Sequence, residues 1–373
     1  MKIGVPKEIK DHEYRVGLVP SSVRELVARG HYVAVQKEAG IGIGVTDAAY
    51  HQAGAEILNS AKEIFQSADM IVKVKEPQPI ECKMLRKNQV LFTFLHLAPD
   101  PELTRLLQQS GVIGIAYETV TNALGQLPLL MPMSEVAGRM SIQVGAFCLE
   151  KVQGGRGVLL GGVPGVAPAQ VVILGGGSAG SNALRMAVGL GAQVTLIDRD
   201  LNCLRRLSNE FGAMIQTLSS SQEAIEHAVI RADLVIGAAL IPGAQAPKLV
   251  TRDLLRKMQP GSVLVDLSID QGGCFETSRP TTFSDPIFIE EGIVHYCVTN
   301  LPGGAPRTST FALNNATLPY VVQLAEKGYR QALLDDPYFT PGLNIYKGQI
   351  THELVAKAVG MPYVPAQRVL QEV

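Results

Sequence analysis

Four apolar residues, Val171-Val172-Ile173-Leu174, run straight into three glycines, and this junction constrains the fold more than any other segment. An apolar run of that length reads as a strand covered on both faces, the habit of parallel sheets. The glycines supply a tight turn, residues 181–190 read as a helix, and a second strand ends at Asp198. Strand, helix and strand in succession form a parallel pair with a crossover helix.

The same alternation runs through most of the chain. Strands are expected at 2–5, 32–36, 70–75, 90–95 and 112–117, and helices at 22–29, 60–67 and 101–109. Beyond the glycine junction, further strands are expected at 214–217, 234–237, 263–266 and 294–298. Residues 132–153 break the rhythm. Met140, Val144, Phe147 and Cys148 fall at helical spacing there, so one long helix is expected from Ser134 to Gly154-Gly155. Another helical pattern covers 317–334, before an irregular tail rich in Pro and Gly that is expected to pack back on the first domain. The expected fold is α/β, with two doubly wound parallel-sheet, Rossmann-like domains joined by long helices.

Composition agrees with two cores. The chain has 373 residues, 46% of them hydrophobic and only 18% charged. A net charge of -1 offers no basic field for nucleic acid or an anionic membrane. Five cysteines (Cys82, Cys148, Cys203, Cys274 and Cys297) are scattered, with no Cys/His cluster, so no metal site is expected and reduced thiols in the cytoplasm are. No long apolar run suggests a membrane span, and the first residues lack the pattern of a signal peptide.

The glycine junction also points to a ligand. Gly175, Gly177 and Gly180 form a GxGxxG pattern between strand and helix, and Asp198 lies 18 residues beyond Gly180. Gly175 suits the turn, Gly177 a close approach to a pyrophosphate, and Gly180 close packing of helix on strand. Asp198 suits the two hydroxyls of an adenosine ribose and repels a 2′-phosphate, which favours NAD over NADP, although Arg199 stands beside it.

Ligands of open parallel sheets bind at the carboxyl ends of strands. Gly237-Ala238-Ala239-Leu240 offers small residues there, and Asn300 offers an amide. Asp270 reads equally as a functional acid and as a turn-former before Gly272-Gly273. In the first half, alternation puts Lys73 and Lys75 on one face of a strand. Lys75 lies nearer the strand end and suits a carboxylate or carbonyl, whereas Lys73 reads better as a snorkelling lysine. His96 follows an apolar strand and reads evenly as an acid/base or a structural histidine. Arg15 suits a bidentate grip on a carboxylate, with an exposed surface arginine as the commoner alternative.

Read together, the segments resemble the alanine dehydrogenase family over essentially the whole chain. The carriers are Gly4-Val5-Pro6-Lys7-Glu8-Ile9 with Arg15, Val74-Lys75-Glu76-Pro77, Leu95-His96-Leu97-Ala98 and Met133-Ser134-Glu135-Val136-Ala137-Gly138-Arg139-Met140. Gly161-Gly162-Val163-Pro164-Gly165-Val166, Asp270-Gln271-Gly272-Gly273-Cys274-Phe275-Glu276 and Pro306-Arg307-Thr308-Ser309-Thr310 complete the set. The resemblance implies reversible conversion of L-alanine, water and NAD to pyruvate, ammonium and NADH. It implies that Arg15 and Lys75 bind pyruvate, that His96 is the acid/base, and that Asp270 assists proton transfer. It further implies NAD contacts at Ser134, Ser178, Ala179, Asp198, Ser220, Ala239, Leu240, Leu267, Ser268, Ile269, Asp270, Arg279, Val298, Thr299, Asn300 and Leu301. It implies a discontinuous catalytic domain, residues 1–130 with 307–373, an NAD domain over 131–306, and a homo-oligomer, a hexamer. The soluble nucleotide-binding part of proton-translocating transhydrogenase resembles the same segments, but Arg15, Lys75 and His96 favour an amino-acid substrate. A nucleotide-responsive binding protein would need the glycine junction and none of those three.

Overall fold

The computed structural model describes residues 1–239 and 245–371. The chain divides into two compact units, Met1–Met133 with Ala305–Val373, and Ser134–Gly304. In chain order the first unit opens with strands β1 (Lys2–Val5), β2 (Tyr32–Gln36), β3 (Glu56–Leu58), β4 (Met70–Val72), β5 (Val90–Thr93) and β6 (Ile113–Ala116). The second holds β7 (Gln170–Leu174), β8 (Gln193–Asp198), β9 (Ile215–Ser219), β10 (Leu234–Gly237), β11 (Val263–Asp266), β12 (Ile287–Glu290) and β13 (Ile293–Tyr296). The chain then returns to the first unit as β14 (Leu343–Tyr346) and β15 (Gln349–Ile350).

Both sheets repeat one topology. The first runs β15-β14-β6-β5-β4-β1-β2-β3, and the second β12-β13-β11-β10-β7-β8-β9. Pairing is parallel from β1 through β6 and among β7 to β11 and β13. Only β12, β14 and β15 are antiparallel additions among the named strands. The strand order reverses between β1 and β4 in one unit and between β7 and β10 in the other. Loops leaving such neighbours toward opposite faces open a crevice at the strands' carboxyl ends.

Helices on both faces explain the continuous apolar runs. Along β7, Val171 and Ile173 join one core, and Val172 and Leu174 join another on the opposite face. The signals that start helices are local. Ser60 accepts the Glu63 N–H while the Glu63 carboxylate accepts the Ser60 N–H, so helix Ala61–Ser67 begins where the sequence predicts.

Several expectations need correction. The long helix spans Met131–Cys148, so it starts before Ser134 and stops short of Gly154; a short turn, Lys151–Gln153, follows. The helix after Gly304 starts at Pro306, suited to a first turn, and runs to Asp335 with a break at Gly328 (φ 75°, ψ 157°). The tail is not irregular: β14 pairs with β6, and Lys347-Gly348 closes a hairpin with both φ positive, 49° and 94°. A lysine there hides the usual hairpin signal. The strands expected over 70–75 and 90–95 stop at Val72 and Thr93, which leaves Lys73, Lys75 and His96 in the loops beyond. All five cysteines are free thiols, and no helix among the described residues is long and apolar enough to cross a membrane.

Candidate active site

In the first unit, the loops leaving β1, β4 and β5 carry the polar residues. The β1 loop crosses the end of β4 so closely that a Cβ at Gly17 would stand 2.4 Å from the Val72 carbonyl oxygen. Arg15, in that loop, is buried rather than a surface residue. Its Nε donates to Glu13 Oε1 at 2.7 Å and its Nη2 to Glu13 Oε2 at 2.6 Å. Nη1 lies 3.1 Å from Met133 Sδ. The pair fixes the plane of the guanidinium by two parallel charge-assisted bonds.

Lys73 and Lys75 have different environments. Lys73 does not snorkel: it is fully buried, and its Nζ donates to Glu8 Oε2 at 2.9 Å and Glu81 Oε1 at 2.8 Å. Burial works against that ammonium, but the two carboxylates outweigh it and push Lys73 up to about 12. The other oxygen of Glu8 accepts the backbone N–H groups of Val74 (2.7 Å) and Lys75 (3.3 Å), which ties down the segment carrying Lys75. Lys75 Nζ lies 3.7 Å from Glu76 Oε2, and Glu76 also accepts from Lys10. Burial alone would raise Glu76; Lys75 and Lys10 hold it below its ordinary range.

His96 has a left-handed backbone, φ 49°. Such a conformation costs a non-glycine residue about 1–3 kcal/mol. Glu118, just beyond β6, accepts the His96 N–H at 2.6 Å and the Leu95 N–H at 3.1 Å, which stabilises that turn. The imidazole stacks on Phe94, with ring centroids 5.7 Å apart. Burial, then Lys75, Lys10 and Arg15, push His96 down to about 3 against the opposing pull of Glu76. The ring is therefore neutral at neutral pH. The same influences put Lys75 and Arg15 within electrostatic reach of His96.

A direct consequence is measurable. Histidine C2–H exchange followed by mass spectrometry should show His96 titrating well below its ordinary value of 6.5, and Lys75→Met should move it upward. An ordinary titration, unmoved by the substitution, would contradict this electrostatic picture. Because the unfolded chain binds the proton near pH 6.5 and the folded chain does not, this group makes the fold less stable as pH falls below 6.5.

In the second unit the glycine turn is tight at two points and open at a third. Gly175 has φ 106°, and a Cβ there would stand 2.6 Å from the Ala238 carbonyl oxygen at the end of β10. At Gly180 a Cβ would come within 1.8 Å of the Gly175 carbonyl oxygen, whereas at Gly177 it would meet nothing within 4 Å. Gly177 is the N-cap of helix Ser178–Gly189 and gives it no side-chain cap. A close, uncapped helix start beneath open space fits a pyrophosphate held by backbone N–H groups of the Ser178 and Ala179 turn.

Asp198 closes this cradle. Its Oδ2 accepts the Gly176 N–H at 2.6 Å and its Oδ1 the Asp200 N–H at 2.8 Å. A carboxylate has about four acceptor positions, so two such bonds orient it and leave capacity for ribose hydroxyls. Ser220 donates its N–H to the Asp198 carbonyl oxygen at 2.9 Å, which brings it to the same end of the sheet. Ser134 lies one turn before Gly138, whose Cβ position is 2.0 Å from the Ala179 carbonyl oxygen.

The remaining positions divide by burial. Asp270 is exposed in the turn after β11, and Asn300 (φ 57°) follows β13. Ser268 Oγ donates to the Ala239 carbonyl oxygen at 2.7 Å, joining the ends of β10 and β11. Leu267 and Thr299 are half-buried. The side chains of Ile269, Val298 and Leu301 belong to the core, so contact with a ligand falls to their backbone. Arg279 stands over the Phe288 ring, 4.1 Å from its centroid. Leu240 lies outside the described residues.

Comparison with known proteins follows the same division of the chain. Residues 4–137 match the family model described as alanine dehydrogenase/PNT, N-terminal domain, and residues 141–353 its C-terminal counterpart. The chain belongs to the alanine dehydrogenase/PNT family. It is 56% identical to an alanine dehydrogenase of Halomonas elongata, over 98% of this chain and 99% of that one. It is 54% identical to an alanine dehydrogenase of Methanococcus maripaludis over the full length of both. A solved L-alanine dehydrogenase superposes with a TM-score of 0.94 at 53% identity, covering 96% of this chain and 99% of that one. A transhydrogenase from Sinorhizobium meliloti shares the fold, with a TM-score of 0.80 at 23% identity, over 94% of this chain and 99% of that one.

For this family member, the reading of strand ends picked out the cations and the histidine but missed the carboxylates that hold them. Glu13 and Glu76 were within reach, since each neighbours the cation it pairs with along the chain. Glu118 stands at a strand end like His96 and carried the same positional signal. Glu8 carried none, because its partner Lys73 is 65 residues away.

Proposed function

We propose that this chain catalyses the reversible oxidative deamination of L-alanine: L-alanine, water and NAD give pyruvate, ammonium, NADH and a proton. The gathering of Arg15, Lys75 and a neutral His96 at the carboxyl ends of β1, β4 and β5 carries this reading. Full-length identity to proteins named alanine dehydrogenase supports it. Arg15, its plane fixed by Glu13, and Lys75 bind the substrate carboxylate and keto oxygen. A substrate held at two points gives up its freedom on binding rather than in the reaction. His96 accepts a proton from the amine side and returns it in the reverse direction, and Asp270 shares that work at the attacking water. A bound nicotinamide dinucleotide would supply the acceptor for the hydride of the substrate's alpha carbon. Gly175, Gly177, Ser178, Ala179 and Gly180 hold its pyrophosphate.

Asp198 selects NAD in this scheme. Asp198→Ala should weaken NADH binding and narrow the preference over NADPH, both measurable by fluorescence titration. A preference that stays the same would remove the residue from that role.

The reaction itself is tested by NADH oxidation with pyruvate, with and without ammonium. Ammonium-dependent oxidation is expected. Oxidation by pyruvate alone would replace the reading with 2-hydroxy acid chemistry, and silence with NADH still bound would favour a binding protein. The same reading takes the protein as a hexamer of identical chains in the cytoplasm. Exposed Phe147 and Leu159, lining a depression of about 500 Å³ on the second unit, support self-association.

A further inference from the structure

We infer that Lys248 and Asp266 are positioning residues that hold the turn carrying Asp270, the first through its carbonyl groups and the second through its amide N–H groups. The inference rests on the proposed proton-handling role of Asp270. Asp266, at the end of β11, is buried. Its Oδ1 accepts the Ser268 N–H at 2.9 Å, and its Oδ2 accepts the Cys274 N–H at 2.8 Å and the Ser278 hydroxyl at 2.5 Å. The carboxylate thus gathers both ends of the turn. The chain wraps it closely: Gly273 has φ 78°, and a Cβ there would stand 2.6 Å from Asp266 Oδ2.

Lys248 acts on the carbonyl side. Its Nζ donates to the carbonyl oxygens of Gly272 (2.5 Å), Gly273 (2.9 Å) and Phe275 (3.1 Å). An ammonium has three N–H donors, and these three carbonyls match that number. An exposed lysine ordinarily leaves its donors to water; this one gives them to a single stretch of backbone. Amide N–H groups of the turn go to an anion and its C=O groups to a cation, so the field across the turn favours one orientation of its peptides. Asp270 lies between these anchors, two residues before Gly272. A displacement of about 1 Å at a reacting group can cost on the order of 10²-fold in rate.

Lys248 is exposed, so its removal leaves the cores intact. In the full enzyme, Lys248→Met should lower kcat by about tenfold or more and raise amide hydrogen exchange over residues 267–275, read by mass spectrometry. Added to Asp270→Asn, the same substitution should cost no further turnover. Unchanged exchange, unchanged kcat while Asp270→Asn lowers it, or losses that multiply in the double variant would each overturn the inference. If Asp270→Asn alone leaves kcat unaltered, the proposed role of Asp270 is wrong, and the exchange measurement still decides whether Lys248 holds the turn.

Discussion

Replacing His96 by alanine should lower turnover by about 10²- to 10⁴-fold, the usual contribution of a positioned acid/base, while NADH binding persists. The two readouts separate because His96 belongs to the first unit, whereas the proposed dinucleotide cradle belongs to the second. His96 also has φ 49°, so alanine adds backbone strain of its own. His96→Asn removes that ambiguity, since asparagine tolerates the left-handed region better. Both variants should lose turnover together. If His96→Asn keeps its turnover number, the imidazole is not the acid/base and the defect in the alanine variant belongs to the backbone.

Lys73→Met should destabilise the fold by roughly 3–5 kcal/mol, the range for removing one partner of a buried ion pair. Methionine matches the length of the lysine stem but leaves the Glu8 and Glu81 carboxylates without the ammonium now 2.9 and 2.8 Å away. Burial already raises Glu8, and loss of Lys73 removes a lowering influence. The folded variant would then hold its carboxyl protons to higher pH than the unfolded chain does. Its deficit should therefore shrink as pH falls. Urea midpoints measured at neutral and mildly acidic pH test both statements. A midpoint equal to that of the parent chain at neutral pH would show that the cluster contributes little.

Much of the fold was legible because its signals are local. The run Val171–Leu174 is apolar on both faces since helices cover both sides of the sheet, and Ser60 with Glu63 starts a helix within one turn. The tight glycine turn was legible for the same reason: the places of Gly175, Gly180 and Asp198 depend on a strand, a turn and the next strand. The hairpin of β14 and β15 was not, because its turn uses Lys347 and its stability comes from pairing with β6, more than 200 residues earlier. The edge strand β12 is likewise defined by its neighbour β13.

The sequence by itself determined which side chains stand at strand ends. Periodicity and the position of glycine set where the expected strands stop, to within a residue or three, but left β3, β12, β14 and β15 unmarked. Only the tertiary structure decided what those side chains meet. Lys73 and Lys75 look alike along the chain, yet one is fully buried between Glu8 and Glu81 and the other lies beside Glu76. Arg15 could have faced solvent, and is instead buried against Glu13. The physical reason is range. Strand periodicity acts over a few residues, whereas the charge state and orientation of a buried group depend on burial and on ions brought beside it by the order β4-β1-β2 and the loops between.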